Sequence, residues 1–163
     1  MIRRIHITGN AGSGKSTLAA ALGEVTGLPV FGLDGIVWQE GWKPTPLDER
    51  RALEEELAAR DSWIVEGVSP VFREAADVVI FLDIPRHVCA RRCLKRNLRY
   101  AFRSRPGLPA NCPEWRIAPR LMKIIWQFPR VMHPKILVRD EGPSSSLVHL
   151  KSEREIEDYL GSF

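Results

Sequence analysis

The chain has 163 residues, a formal net charge of +4, 44% hydrophobic and 27% charged residues. This size and composition predict one globular domain spanning residues 1–163 and exclude an intrinsically disordered chain. No apolar run approaches the roughly 20 residues that a membrane span needs, and the N-terminus enters a strand-like pattern without a signal peptide, so we expect a cytoplasmic protein with no membrane partner.

The first half of the chain predicts alternating strands and helices. A strand that contains Ile5 and Ile7 leads into a glycine-rich stretch, and an alanine-rich helix follows that Gly27 can cap. The later elements of this half are a strand at 28–33, a helix at 46–60 with Thr45 as N-cap and Pro46 as first residue, a strand at 62–66 and a strongly apolar strand at 77–83.

The second half begins with a basic helix at 85–102 and a proline-rich loop at 103–113 that we interpret as a lid. Four apolar residues then fall on one helical face beginning after Pro119. Residues 134–141 fit a helix or a strand, 145–150 fit a last strand, and a capping box from Ser152 to Glu155 opens a terminal helix. Strands alternating with helices predict a three-layer α/β fold with a parallel sheet between helices.

Positive charge is concentrated in the second half. From Arg86 to Arg139 there are fourteen Lys or Arg residues and one acid, Glu114, whereas the rest of the chain has ten bases and nineteen acids. This excess indicates a phosphate-bearing partner, which could be a nucleotide or a nucleic acid.

The three cysteines, Cys89, Cys93 and Cys112, are odd in number and lack CxxC spacing. We interpret them as reduced thiols. A metal site that joins them with His133 is the weaker alternative, because plain core thiols explain the pair Cys89 and Cys93 equally well.

The glycine-rich stretch matches G-x-x-x-x-G-K-[ST] at every fixed position and lies between a predicted strand and a predicted helix. Its backbone N–H groups and the helix N-terminus would hold the phosphates of ATP, with Lys15 bridging the β- and γ-phosphates and the Ser16 hydroxyl placed for Mg²⁺. The predicted nucleotide-binding residues are Gly9, Asn10, Ala11, Gly12, Ser13, Gly14, Lys15, Ser16 and Thr17.

Two other nucleotide-binding classes are disfavoured. A dinucleotide-binding fingerprint fails because Thr17 stands where the third glycine belongs. The chain also lacks the N-K-x-D sequence by which GTPases ordinarily read guanine.

Beyond this loop, the sequence resembles the adenylate kinase-like and shikimate kinase-like P-loop kinases, in particular bacterial proteins of the DNA topology modulation protein family. The resemblance covers nearly the whole chain. It rests on Leu33-Asp34 followed by Trp38-Gln39-x-Gly41-Trp42, on Trp63-Ile64-Val65-Glu66-Gly67 and on Leu82-Asp83-Ile84-Pro85 before the basic helix.

The resemblance implies a five-stranded parallel sheet of order 2-3-1-4-5 and a small basic lid at about 97–118. It implies that Arg92 and Arg96 face the nucleotide across the lid, where guanidinium groups can neutralise charge on the transferred phosphoryl group. Further lid candidates, among which the sequence does not choose, are Arg103, Arg105, Arg116 and Arg120.

The resemblance also places acids around the cleft. Asp34 would orient or deprotonate an acceptor hydroxyl, and Glu66 stands where the family usually has Asp, as a longer candidate for the Mg²⁺ shell. Val68-Ser69-Pro70 replaces the usual Asn-Tyr at the acceptor edge. Asp83 is either a further acidic candidate or a helix N-cap, and Trp38 and Trp42 either stack on an acceptor or belong to the core.

Two functions remain open at this point. The first is a kinase that uses MgATP to phosphorylate a small acceptor, with Lys15, Asp34, Arg92 and Arg96 as catalytic residues and Ser16 and Glu66 at the metal. The alternative is a nucleotide-dependent regulatory protein whose basic half binds DNA and influences its topology. The kinase is favoured, because the bases cluster where a lid falls and no DNA-reading motif is evident. The sequence does not predict the oligomeric state.

Overall fold

A computed structural model describes residues 2–137 and 146–163 of the chain. The predicted element at 134–141 therefore lies partly outside the described residues, as does residue 145 of the predicted last strand. In chain order the elements are β1 (Arg4–Gly9), α1 (Lys15–Thr26), β2 (Val30–Gly32), α2 (Asp34–Val37), β3 (Trp38–Gln39), a 3-10 turn (Glu40–Trp42), β4 (Lys43–Pro44), α3 (Leu47–Ala58), β5 (Trp63–Glu66), α4 (Pro70–Ala75), β6 (Val78–Leu82), α5 (Arg86–Arg99), α6 (Glu114–Leu137), β7 (Ser146–Leu150) and α7 (Glu153–Leu160).

Five strands form one sheet in the order β2-β5-β1-β6-β7, and each neighbouring pair is parallel. Numbered by their own sequence in the chain, these strands run 2-3-1-4-5, so the predicted order is confirmed. The parallel arrangement brings the carboxyl ends of all five strands to one edge of the sheet. Loops that follow β1, β2 and β5 therefore meet there, as ligand-binding loops of open α/β sheets do.

The sheet is covered on both faces, which confirms the three-layer α/β class. Alternation along β1 sends Ile5 and Ile7 to one face and His6 and Thr8 to the other. The first face packs against apolar side chains of α1, α5 and α7, and the second against α3 and α4. Helix α6 packs on both faces of the sheet. Ile125 belongs to the core on the first face, and Phe128 packs against Phe81 on the second face.

The prediction that a helix begins after Pro119 is wrong. Helix α6 begins at Glu114 and continues through Pro119, Pro129 and Pro134. Its first turn is held by a tertiary contact, because the Glu114 carboxylate, 1% exposed, forms ion pairs with Arg96 and Arg105. A local apolar period cannot show such a contact.

The predicted helix ends agree in part with the structure. Gly27 adopts φ 71° and caps α1 as predicted, and Ser152 accepts a hydrogen bond from the Glu155 amide at 3.2 Å. The N-cap prediction for α3 is wrong by one residue. Pro46, not Thr45, holds the N-cap position, because its carbonyl accepts from the Arg50 amide while the Thr45 amide bonds to Val37. Among the described helices, none combines the length and apolar character that crossing a bilayer demands.

Candidate functional site

A cleft of about 540 Å³ opens at the carboxyl edge of the sheet. Its floor is the loop between β1 and α1, and its walls come from α2, the β3–β4 hairpin, α5 and α6. The cleft brings together the predicted residues Lys15, Asp34, Glu66, Arg92 and Arg96. The loop residues that line it are Gly9, Ala11, Gly12, Gly14, Lys15, Ser16 and Thr17, whereas Asn10 and Ser13 are buried beneath the loop.

Glycines shape the loop at two points. Gly12 has φ 78°, and a Cβ there would lie 2.5 Å from the Cys89 carbonyl oxygen and 2.9 Å from the Cys93 sulfur, so glycine lets α5 pack directly on the loop. Gly14, with φ 102°, is the N-cap of α1. The first turn of α1 contains no acid, which leaves its free N–H groups and positive dipole end available to an anion.

Lys15 folds back onto the loop. Its Nζ donates hydrogen bonds to the carbonyls of Asn10 at 2.8 Å and Gly9 at 3.1 Å. Burial lowers the pKa of Lys15, and the nearby charges of Glu66 and Asp34 oppose that effect. A lysine that is partly desolvated and held by neutral carbonyls gains a strong partner when a phosphate enters the cleft.

The structure brings Ser16 and Glu66, both predicted to lie at a Mg²⁺ ion, into contact across the loop. The Ser16 Oγ donates a hydrogen bond to Oε1 of Glu66 at 3.0 Å. Hydroxyl and carboxylate oxygens are the donors that Mg²⁺ prefers. Within residues 2–137 and 146–163 no cluster of three or more His, Cys, Asp or Glu side chains could hold a metal. The oxygens of Ser16 and Glu66 could supply two ligands of a Mg²⁺ that phosphate oxygens also ligate.

His6 supports the strand end behind Glu66. Its Nε2 lies 3.1 Å from the Gly67 carbonyl oxygen, which can only accept, so Nε2 carries the proton. Burial lowers the pKa of His6 to about 4, and the backbone hydrogen bond to Gly67 only partly opposes this. The imidazole is therefore neutral near pH 7 and fixes the turn that follows Glu66.

Both predicted arginines of α5 enter the cleft, with different partners. Arg92 donates from Nη1 to the carbonyls of Gly12 and Ser13, each at 3.4 Å, and pairs through its other terminal nitrogen with Glu153. Arg96 lies 3.6 Å from the buried carboxylate of Glu114. Arg92 thus rests on the phosphate loop and Arg96 on α6.

Asp34 is held by an arginine of the proline-rich segment. Arg105 forms an ion pair with Asp34 and a second one with Glu114, at 2.9 Å from its Nε. Asn97, with its amide nitrogen turned toward Glu114, donates to that carboxylate at 2.8 Å. Of the four arginines left open by the sequence, Arg105 lines the cleft, while Arg103, Arg116 and Arg120 lie over the rings of Tyr100, Trp115 and Trp38.

The two tryptophans belong to the cleft wall and are only partly buried. Trp38 and Trp42 pack edge to face, with ring centroids 5.4 Å apart. The indole nitrogen of Trp42 donates to the Pro113 carbonyl at 2.9 Å. Residues after α5 therefore dock on the β3–β4 hairpin and partly close the cleft.

Sequence reasoning missed two residues of the site. Arg50 lines the cleft and is anchored by Glu54 at 2.7 Å, whose other oxygen accepts from Ser69. The i, i+4 spacing of Arg50 and Glu54 resembles that of many surface pairs and gives no signal. Glu114 could have been found, because it is the single acid among fourteen bases.

The structure also bears on the sequence interpretations of Asp83 and of the three cysteines. Asp83 accepts a hydrogen bond from His149 at 2.9 Å, and its other carboxylate oxygen lies 2.9 Å from Nε2 of His133. Pro85 holds the N-cap position of α5, so the N-cap role for Asp83 is wrong. Cys89 and Cys93 are buried in the core, where burial raises the pKa of Cys89 to about 11, and Cys112 contacts the Trp42 amide. The three free thiols are packing residues.

Comparison with known proteins gives one relative in sequence and several in fold. No model of a protein family matches the chain. Over 105 residues, the chain is 31% identical to the uncharacterized protein YqaC of Bacillus subtilis (strain 168). That match spans 61% of this chain and 59% of the length of YqaC.

Solved structures share the fold over nearly the whole chain. A shikimate kinase from Acinetobacter baumannii, in complex with shikimate, superposes with a TM-score of 0.58 at 14% identity, covering 99% of this chain and 90% of its own. A sugar kinase from Janibacter sp. HTCC2649 gives 0.53 at 20% identity, covering 99% and 94%, and a gluconokinase from Sinorhizobium meliloti 1021 gives 0.53 at 20% identity, covering 98% and 92%. At these identities the likeness is one of fold, and the chain has the P-loop kinase fold.

Proposed function

We propose that the protein is a kinase that transfers the γ-phosphoryl group of ATP to a hydroxyl group of a small acceptor. The observation that carries the proposal is the set of side chains that line one cleft. A phosphate-binding loop with Lys15 lines the same cleft as a carboxylate, Asp34, and four arginines, Arg50, Arg92, Arg96 and Arg105. Phosphoryl transfer depends mainly on positioning and charge stabilisation, which this arrangement supplies.

On the nucleotide side, the loop amides and the start of α1 bind the phosphates, and Lys15 turns from its loop carbonyls to the β- and γ-phosphates. Ser16 and Glu66 would hold Mg²⁺, which offsets phosphate charge when bound. Arg92 lies on the loop and reaches the phosphate chain from α5. These roles require no rearrangement of the sheet.

On the acceptor side, Asp34 orients the acceptor hydroxyl. The oxygen of the acceptor hydroxyl forms a bond to the γ-phosphorus, and the bond from that phosphorus to the β,γ-bridging oxygen breaks. Asp34 receives the hydroxyl proton. ADP and a phosphorylated acceptor leave. For this step the acceptor must displace Arg105 from Asp34, which frees the guanidinium to contact the transferred group.

The acceptor is a small hydroxylated metabolite, a nucleoside or a nucleoside monophosphate. Solved structures of this fold that are named shikimate kinase, sugar kinase and gluconokinase support a small acceptor. Because the sequence resembles adenylate kinase-like proteins, nucleosides and nucleoside monophosphates are also candidate acceptors. Arg50 and Arg105 make this wall cationic, which favours an acceptor that also carries an anionic group. We place the reaction in the cytoplasm, where free thiols such as these persist.

A coupled assay of ADP formation tests the proposal. Purified protein with MgATP is offered a panel of hydroxylated acids, sugars, nucleosides and nucleoside monophosphates. We expect at least one acceptor to raise ADP formation well above the rate without acceptor, and the Lys15→Ala variant to abolish that increase. Absence of any ATP binding by calorimetry would overturn the proposal.

Binding to DNA through the basic half is the alternative function. Arg91, Lys95 and Arg99 are exposed on α5 and are available to phosphates outside the cleft. A titration with duplex DNA at increasing salt decides this alternative, because binding through many phosphates weakens steeply with salt. Tight, salt-sensitive binding together with an acceptor panel that stays silent would favour the regulatory role.

A further inference from the structure

Pro129 leaves one carbonyl of α6 without its helical donor. In an α-helix the N–H of residue i bonds to the carbonyl of residue i−4, and proline has no N–H. The carbonyl deprived by Pro129 is that of Ile125, whose side chain is fully buried in the core. A buried carbonyl without a partner is costly, so a donor from elsewhere is expected.

Asn10 of the phosphate loop supplies that donor. Its Nδ2 donates to the Ile125 carbonyl at 2.9 Å in a buried hydrogen bond, and its Oδ1 accepts from the Ala11 amide at 2.8 Å. The Asn10 backbone carbonyl accepts from Lys15. Because Asn10 is only 3% exposed and its amide group is engaged on both ends, its side chain is not available to a bound nucleotide.

Helix α6 carries the opposite wall of the cleft. Ile117, Leu121, Ile124 and Phe128 line the cleft from this helix. Its first residue, Glu114, anchors Arg96 and Arg105, and Arg105 in turn holds Asp34. The hydrogen bond from Asn10 is therefore a direct link between the nucleotide loop and the helix that positions the acceptor side.

We propose that Asn10 is a positioning residue that ties the phosphate loop to α6 through the carbonyl freed by Pro129, so that nucleotide on the loop orders the arginines on the far wall. This inference rests on the proposed nucleotide binding. The link itself is a property of the fold. When phosphate orders the loop, the hydrogen bond from Asn10 to the Ile125 carbonyl also restrains α6. That carbonyl is free to accept from Asn10 because Pro129 has no N–H.

A double-mutant cycle tests the link by calorimetric titration of a non-hydrolysable ATP analogue with Mg²⁺. We expect Asn10→Ala to weaken binding about 10-fold in the natural background and about 2-fold or less in a Pro129→Ala background, a coupling in the usual range for linked sites. The reason is that the alanine of the Pro129→Ala background has the backbone N–H that the Ile125 carbonyl lacks in the natural helix. Loss of the Ala11 contact is common to both backgrounds and cancels.

Pro119→Ala is the matched control. It restores an N–H in the same helix, but the carbonyl it serves is that of Trp115, in the first turn of α6. The effect of Asn10→Ala should therefore be unchanged in the Pro119→Ala background. Equal effects of Asn10→Ala in the natural and Pro129→Ala backgrounds would overturn the proposal.

Hydrogen exchange separates positioning from a merely structural role. In the natural protein the analogue should slow amide exchange in both α1 and α6; in Asn10→Ala it should slow exchange in α1 only. Retained protection of α6 would also contradict the link. If Asn10→Ala does not fold, Asn10→Ser replaces it, because serine retains a short acceptor near the Ala11 amide and lacks the reaching donor.

The two proposals fail in different ways. If the natural protein binds no analogue, the proposed function fails. The link is then tested by measuring the free energy of unfolding in denaturant for the same set of variants. There, Pro129→Ala should still suppress the destabilisation caused by Asn10→Ala. If the analogue binds and the cycle shows no coupling, the positioning role fails and the kinase proposal stands.

Discussion

The two sides of the cleft are built by different means. The nucleotide side is a continuous segment, residues 9–17, whose shape depends on backbone geometry, positive φ at glycines and one lysine bonded to the loop's own carbonyls. The acceptor side joins Asp34, Arg105, Glu114 and Arg96 by charge, and these residues come from distant parts of the chain. A local backbone cradle can lose one side chain and keep its shape. A network of paired charges is more sensitive, because removing one member takes a partner from each group that it contacts.

The largest expected effect is that of Lys15→Ala on the nucleotide side. Turnover should fall about 10³-fold or more, because in the proposed reaction the lysine contacts the transferred phosphate. Stability should change little, since the substitution removes a charge whose burial is unfavourable. Turnover assays paired with thermal unfolding check both parts, with the exposed Lys123→Ala as control. Turnover like that of the natural protein would remove the loop from the mechanism.

Arg92→Ala and Arg96→Ala come next and contrast the two sides. Each should raise the barrier by about 3 kcal/mol, the scale for a lost charge contact in a transition state. Arg92 rests on loop carbonyls, so its loss should leave stability nearly intact, whereas loss of Arg96 deprives the buried Glu114 of a partner and should lower the free energy of unfolding. Steady-state kinetics and denaturant unfolding measure the pair.

The exposed Arg91→Ala is the control for both arginine variants, because it lies on the same helix and does not line the cleft. Normal kinetics in both Arg92→Ala and Arg96→Ala would assign the two arginines to structure alone. Equal loss of stability in Arg92→Ala and Arg96→Ala would contradict the expected difference between the nucleotide side and the acceptor side.

Asp34→Asn should affect transfer and spare the nucleotide. We expect near-normal affinity for an ATP analogue and transfer reduced about 10²-fold, the usual scale for a lost general base. Calorimetry and transfer rates with the identified acceptor provide the comparison, and Asp48→Asn, an exposed acid of α3, is the control. Loss of ATP binding would instead assign the carboxylate to the Mg²⁺ shell.

The smallest effect at neutral pH is that of His6. Because its pKa in the folded state, about 4, is below the unfolded value of 6.5, the unfolded chain binds the extra proton first as pH falls. The stability that His6 contributes is present above pH 6.5 and is lost between pH 6.5 and 4, by about 3 kcal/mol. Denaturant unfolding across that window should lose this slope in His6→Gln and keep it in His87→Gln. An unchanged slope in His6→Gln would show that other groups cause it.

Sequence reasoning reached the nucleotide side almost completely. The loop motif and the helix that follows it depend on local spacing, the sheet order follows from the family resemblance, and the structure has all three. The roles proposed for Lys15, Ser16 and Glu66 stay predictions, although the structure brings Ser16 and Glu66 into contact.

The acceptor side was reached only in part. The sequence placed Asp34 and Arg96 near the cleft through family resemblance, but it could not choose Arg105 among four arginines. That choice depends on Glu114, which lies on a turn of α6 that the apolar period did not predict. The partner of Asn10 was also hidden, since the carbonyl that Pro129 frees becomes meaningful only when α6 lies on the loop.

The paired indoles of Trp38 and Trp42 give the protein an optical property of practical use. They lie on the acceptor wall, whereas Trp63 is fully buried in the core, and Trp115 and Trp126 are exposed on α6. Entry of an acceptor that moves Arg120 from the face of Trp38 would change the quenching of one indole while the buried one stays constant. The unlabelled chain thus contains both a probe of its acceptor side and an internal reference in its emission.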